Sequence, residues 1–185
     1  CGFTTIRYQL NALGIALDYG IERDLPVTPE PFRLVSAGID RFRRTIWLAQ
    51  DARIAWLTMQ AAAFKAGVRV EIVSAFRSQL YQADLVRRKL KRGEKIAEIL
   101  KVSAAPGFSE HHSGRAIDLA EPGMTPLTEA FADSAAFLWL QENAHRYRFI
   151  MSFAPENRHG VMYEPWHWCY QPRNTNRRSK TEAQQ

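Results

Sequence analysis

The sequence predicts an α+β domain, a small antiparallel sheet flanked by helices. Residues 45–66 repeat apolar side chains at three- and four-residue steps, the period of a helix buried along one face. Short apolar or alternating runs within 68–75, 116–119 and 161–170 have the length and pattern of strands. Helices and strands follow one another in mixed order with no internal repeat, as an α+β fold requires.

A chain of 185 residues has the size of one domain and can bury a core without disulfide staples. With 46% hydrophobic and 24% charged residues it is expected to fold rather than stay disordered. The formal charge of +6 favours an anionic partner such as an acidic polymer or a membrane surface. No nucleic-acid-binding motif accompanies that charge, and Arg177, Arg178 and Lys180 near the C-terminus supply part of it as ordinary solubilising charge. The two cysteines, Cys1 and Cys169, do not amount to a disulfide scaffold. No apolar run approaches the ~18 residues that would cross a bilayer.

Taken in order, 4–13 forms a helix with Ile6, Leu10 and Leu13 on one face and Gly14 as its stop. The proline-rich stretch 24–31 is extended, so residues 1–45 are expected to wrap a core formed by 46–170, with 171–185 a polar flexible tail. The long helix 45–66 buries Leu48, Ala52, Ala55, Trp56, Met59 and Ala63, and Gly67 ends it. Val68, Val70 and Ile72 alternate with Arg69 and Glu71 in a strand whose end presents Arg77. Ser78 caps a helix to about Lys91. Tyr81, Leu85 and Leu90 are expected inward on it, and Arg87, Arg88, Lys89, Lys91 and Arg92 outward. A short helix over 94–100 and a turn at 104–107 lead to a buried strand, Ala116-Ile117-Asp118-Leu119. Ser134 caps a helix through about His145, and Phe149-Ile150-Met151 is a strand. The last strand, 161–170, is interrupted at Pro165.

Two stretches carry chemistry: Ser109-Glu110-His111-His112-Ser113-Gly114-Arg115-Ala116-Ile117-Asp118 and Glu164-Pro165-Trp166-His167. His111, Asp118 and His167 are two imidazoles and a carboxylate, the set a catalytic zinc takes when its fourth position stays open for water. Gly114 permits a tight turn that returns His111 towards Asp118, and a bend at Pro165 aims Glu164 and His167 into one pocket. The same ligand types form the facial triad of non-haem iron oxygenases. Glu164, three residues before His167, favours zinc hydrolysis, because it can pass a proton from the attacking water to a leaving amine.

Ser109, His111, Gly114, Ala116 and Asp118 match an S-x-H-x-x-G-x-A-x-D signature, and Glu164, Trp166 and His167 match E-x-W-H. With Ser74-Ala75-Phe76-Arg77-Ser78 and the downstream Gln82, the chain resembles the VanY-type D-alanyl-D-alanine carboxypeptidases over roughly 46–170. The resemblance implies the fold shared by these peptidases and the Hedgehog signalling domain, with one zinc held by His111, Asp118 and His167. It implies Glu164 as general base and Arg77, Gln82 and Ser109 as substrate contacts, Arg77 gripping a terminal carboxylate with its planar guanidinium. The implied activity is removal of C-terminal D-alanine from peptidoglycan stem peptides by a monomer exported to the periplasm or cell envelope. A peptidoglycan endopeptidase and a non-catalytic zinc-binding module are the alternatives on the same scaffold. A Cys-Gly start resembles a mature lipoprotein anchored through Cys1, or equally a truncated start. Phe76, Phe153 and Cys169 stand where the family commonly has Tyr, Tyr and Arg, which bears on substrate specificity rather than metal chemistry. His112 is expected behind the site or at the surface, His145 at a helix end and His159 in a loop.

Overall fold

Alternation of buried Ile46 and Leu48 with exposed Thr45 and Trp47 makes a strand of the segment expected to begin the long helix. In the computed structural model, which describes residues 2–173 and the side chains from residue 4, this is β2 (Thr45–Leu48), paired antiparallel with β1 (Val35–Ile39). Asp40 builds the turn between them: its Oδ1 accepts from the backbone N–H groups of Phe42 (2.8 Å) and Arg44 (2.9 Å). The helix itself, α3, therefore starts at Gln50 and runs to Lys65, with Gly67 at φ 79° behind it. Cys1 and residues 174–185, where the anchor and most of the tail were expected, lie outside the described residues.

Before the hairpin come α1 (Gly2–Ala12) and the short α2 (Tyr19–Glu22). After α3 follow β3 (Glu71–Ser74), α4 (Gln79–Lys91), α5 (Ile96–Val102), β4 (Ala116–Ala120), α6 (Ala135–Asn143), β5 (Phe149–Met151) and β6 (His167–Tyr170). Ser78 and Ser134 cap α4 and α6 as expected, accepting from Tyr81 N–H (3.1 Å) and Phe137 N–H (3.0 Å). β3, β4, β6 and β5 form, in that order, one antiparallel sheet.

Side chains on β4 and β6 alternate between two environments. Ile117, Leu119, Trp168 and Tyr170 join Trp56, Met59, Phe137, Leu140 and Phe149 in the main core beneath α3 and α6. Asp118, His167 and Cys169 project from the opposite face. A second apolar cluster ties α1 to α4 and α5 through Ile6, Leu10, Leu13, Val86, Ile99 and Leu100. On α4 the buried face is Gln82, Ala83 and Val86; Leu90 packs partly buried against this cluster as expected, Leu85 is half-buried at a cleft, and Tyr81, expected inward, is exposed.

Residues 161–164 are not a strand. Met162 N–H donates to the carbonyl of Lys101 and Glu164 N–H to that of Phe153, both at 3.0 Å, so their hydrogen bonds go to loops rather than to a ladder. The bend at Pro165 is closed by His167 N–H on the Glu164 carbonyl at 3.0 Å.

Candidate metal centre

Asp118 on β4 and His167 on β6 face each other directly in register, which puts His167 Nδ1 3.0 Å from Asp118 Oδ1. His111 comes from a 3₁₀ turn, Glu110–Ser113, that Gly114 ends at φ 66°. A Cβ at Gly114 would lie 2.8 Å from Leu34 Cδ2 and 3.0 Å from the Ala49 nitrogen, so conformation and space both call for glycine. The turn leaves His111 Nε2 3.2 Å from Asp118 Oδ2. One ligand atom from each of the three buried residues lies within 4.8 Å of the others.

Hydrogen bonds behind the rings decide which nitrogens face inward. His111 Nδ1–H donates to the Ala75 carbonyl at 2.7 Å, leaving Nε2 as the lone pair beside Asp118. His167 Nε2 lies 2.8 Å from Glu110 Oε2, so Nε2–H donates there and Nδ1 is turned towards Asp118. Two imidazole lone pairs and a carboxylate then converge on one point, a donor set suited to a divalent cation that takes nitrogen and oxygen ligands. The electrostatics agree. Burial opposes ionisation of Asp118, but the flanking imidazoles outweigh it and hold its carboxyl well below the usual range. Burial lowers His111; burial also opposes protonation of His167, yet Asp118 and Glu110 push it up to about 10, so without a metal Nδ1 holds a proton that a bound cation would displace.

Glu110 has no role in the sequence-based expectation, although it sits inside the first motif. Its carboxylate accepts from Ser152 Oγ at 2.6 Å as well as from His167, and these partners outweigh burial and lower its pKa. The sequence signal is an acidic residue next to a ligand histidine; the partner 57 positions away is invisible without the fold. Removing that acceptor in Glu110→Ala frees His167 to rotate or change tautomer, so metal affinity is expected to fall about ten- to a hundredfold. Competition with a chromophoric chelator measures it, and an unchanged affinity would show that Glu110 does not orient His167.

The three ligands open onto a cleft of about 550 Å³ that Arg77, Gln82, Ser109 and Glu164 also line. The structure thus brings every sequence-predicted site residue to one place. Arg77 approaches Asp118 (Nη2 to Oδ2, 3.8 Å), and its Nη1 donates to Gln82 Oε1 at 3.2 Å. Gln82 is fully buried and its Nε2 donates to the Ala104 carbonyl at 2.7 Å, so it clamps the guanidinium. His112, also fully buried, works from behind: Nδ1–H donates to the Arg77 carbonyl (2.6 Å) and Nε2 accepts from Gly107 N–H (3.1 Å). Burial pulls its pKa down to about 4, which keeps it neutral in this role. Burial, first among several influences, raises Glu164 to about 7, where a carboxylate serves as a general base near neutrality. Phe153 packs its ring 4.9 Å from that of His167. His145 is exposed in a 3₁₀ turn after α6, and His159 bonds the Arg23 carbonyl through Nδ1 at 3.0 Å. Lys89, expected on the outer face of α4, lines the cleft instead.

Comparison with known proteins agrees with this geometry. The sequence profile of the family described as VanY, D-alanyl-D-alanine carboxypeptidase, matches residues 45–173. YodJ of Bacillus subtilis (strain 168) is 33% identical over 178 residues, 91% of this chain and 63% of YodJ, so the chain spans under two thirds of that relative. Among solved structures, the LD-carboxypeptidase LdcB superposes with a TM-score of 0.70 at 31% identity, covering 78% of this chain and 71% of LdcB. The D,D-pentapeptidase VanY of a VanB-type resistance cassette, a point mutant in complex with Zn(II), shares the fold. Its TM-score is 0.59 at 24% identity, over 77% of this chain and 82% of that one.

Proposed function

The chain belongs to the VanY family of D-alanyl-D-alanine carboxypeptidases, and on that premise we propose that it is a zinc carboxypeptidase that removes C-terminal D-alanine from peptidoglycan stem peptides outside the cytoplasmic membrane. The observation that carries this is one cleft holding the His111–Asp118–His167 donor set, a carboxylate raised to about 7 and a half-buried guanidinium clamped by Gln82. Zinc suits the donors and is the metal of the VanY complex with the same fold. When bound, it supplies Lewis acidity, polarising the scissile carbonyl and acidifying a water. Glu164 takes the proton from the attacking water and returns it to the leaving amine of D-alanine. Arg77, held by Gln82 and by His112 on its backbone, pairs with the terminal carboxylate, and Ser109 contacts the peptide. Among the described residues no helix is long and apolar enough to cross a membrane.

The likeness to LdcB favours a second reading of the bond cleaved, an L,D cut in a tetrapeptide rather than a D,D cut in a pentapeptide. Mass analysis of both peptides, each as free acid and as C-terminal amide, separates these and tests Arg77. The native enzyme is expected to release D-alanine from the acid and to cleave the amide far less well. Arg77→Ala is expected to lose about 2–5 kcal/mol on the acid and to discriminate little between the two. Equal cleavage of acid and amide by the native enzyme would contradict carboxylate anchoring; the endopeptidase reading would then apply, with Arg77 beside the developing oxyanion.

A further inference from the structure

Lys89 sits on the face of α4 that turns into the cleft, half-buried, between Leu85 and the Val102–Ser103–Ala104 segment that also lines it. Its Nζ donates to Ser103 Oγ at 2.9 Å, and among the described residues no carboxylate lies within ion-pair distance of it. The carboxylates of the cleft are otherwise engaged. Asp118 faces the two histidines, Glu110 holds His167 and Ser152, Glu164 is the proposed base, and Glu129 lies near Tyr163. Burial is the largest influence on Lys89 and lowers its pKa from the ordinary value; Glu94 and Glu164 oppose that shift from beyond ion-pair distance without cancelling it. Ser103 satisfies one of its three N–H groups and fixes its direction, leaving donors for a ligand. Leu85, half-buried, and the more exposed Val102 and Met162 line the same cleft and give it apolar wall.

We propose that Lys89 and Ser103 form a second anion subsite, which recognises a free carboxylate on the stem peptide upstream of the bond that is cut. This rests on the peptidase reading and deepens it: the preferred substrate carries two carboxylates, the terminal one on Arg77 and an internal one on Lys89. In a stem peptide the internal carboxylate comes from diaminopimelate or from isoglutamate, and amidating each in turn distinguishes the two sources. A lysine-containing stem, which lacks the diaminopimelate carboxylate, is a poorer ligand if that residue is the source.

The test is an affinity and turnover matrix. Peptides with both internal carboxylates free, or with one or the other amidated, are presented to the native protein, Lys89→Met and Lys89→Arg. Amidation at the recognised position is expected to lower kcat/KM of the native enzyme about ten- to a hundredfold, chiefly through KM. Lys89→Met is expected to lose the same factor on the free acid and almost nothing on that amide, and Lys89→Arg to restore most of the preference. A role confined to bracing Ser103 would lower acid and amide alike, and that outcome overturns the subsite. Calorimetric binding of the same peptides to Glu164→Gln gives the comparison without turnover. Peptides that bind with the charge preference but are never cleaved would count against the peptidase reading while upholding the subsite. Binding indifferent to both amidations would overturn the subsite whatever the activity.

Discussion

Glu164→Gln is expected to lower turnover by about a hundred- to ten-thousandfold while the metal stays bound, because the amide keeps the shape of the side chain and loses the proposed base. Burial is the main reason the Glu164 carboxyl sits near 7; Asp118 and Glu110 add to it, His167 and Arg77 oppose it. In the native enzyme the acid limb of kcat/KM is expected at or below pH 7, since a bound cation favours the ionised form, and the variant should lack that limb. Near-normal turnover in the variant would move the base elsewhere.

The same substitution has an opposite effect on stability. A carboxyl at about 7 in the folded state and near its ordinary 4.5 when unfolded binds its proton more tightly when folded. Stability therefore declines as pH rises from about 4.5 to about 7 and stays lowered above that, a penalty that glutamine does not carry. Metal-free Glu164→Gln is expected to melt higher than metal-free native protein at pH 8 and to match it near pH 4.5. An identical difference at both pH values would show that ionisation of Glu164 is not the cause.

What can be read before folding follows from how local each signal is. The period-2 pattern of β4 and β6 puts Asp118 and His167 opposite the apolar Ile117 and Trp168, and the serine caps fix the starts of α4 and α6. The hairpin of β1 and β2 escapes because Leu48 fits a helical stripe with Ala52 as well as it fits a strand; the Asp40 turn is the overlooked sign. Lys89 is lost among five basic residues on one helix. A basic run ordinarily marks a solvated face, and only the packing of α5 against α4 turns this one lysine into the cleft. His112 and Glu110 share the first motif with His111, but their partners, Arg77 and His167, lie 35 and 57 residues away. Adjacent positions on a 3₁₀ turn point to different sides, so three neighbouring side chains serve three different elements.

Removing the metal is expected to abolish hydrolysis and to lower the melting temperature together, because one cluster is both the proposed reaction centre and a link between β4, β6 and the turn before β4. A ligand that binds only the folded state at about a thousand times its Kd stabilises it by about 4 kcal/mol. At about 2–4 °C per kcal/mol for a chain of this size, chelation should lower the midpoint by roughly 8–16 °C. Zinc added back should restore both properties in step. Asp118→Ala separates this effect from any general action of the chelator. Without Asp118 the two imidazoles lose the carboxylate between them and Arg77 loses its nearest acidic group, so the variant should be inactive and its melting temperature should not respond to zinc. Full activity in protein shown by elemental analysis to be free of metal would sink the zinc assignment. A zinc-dependent melting shift that survives in Asp118→Ala would place the ion elsewhere on the chain.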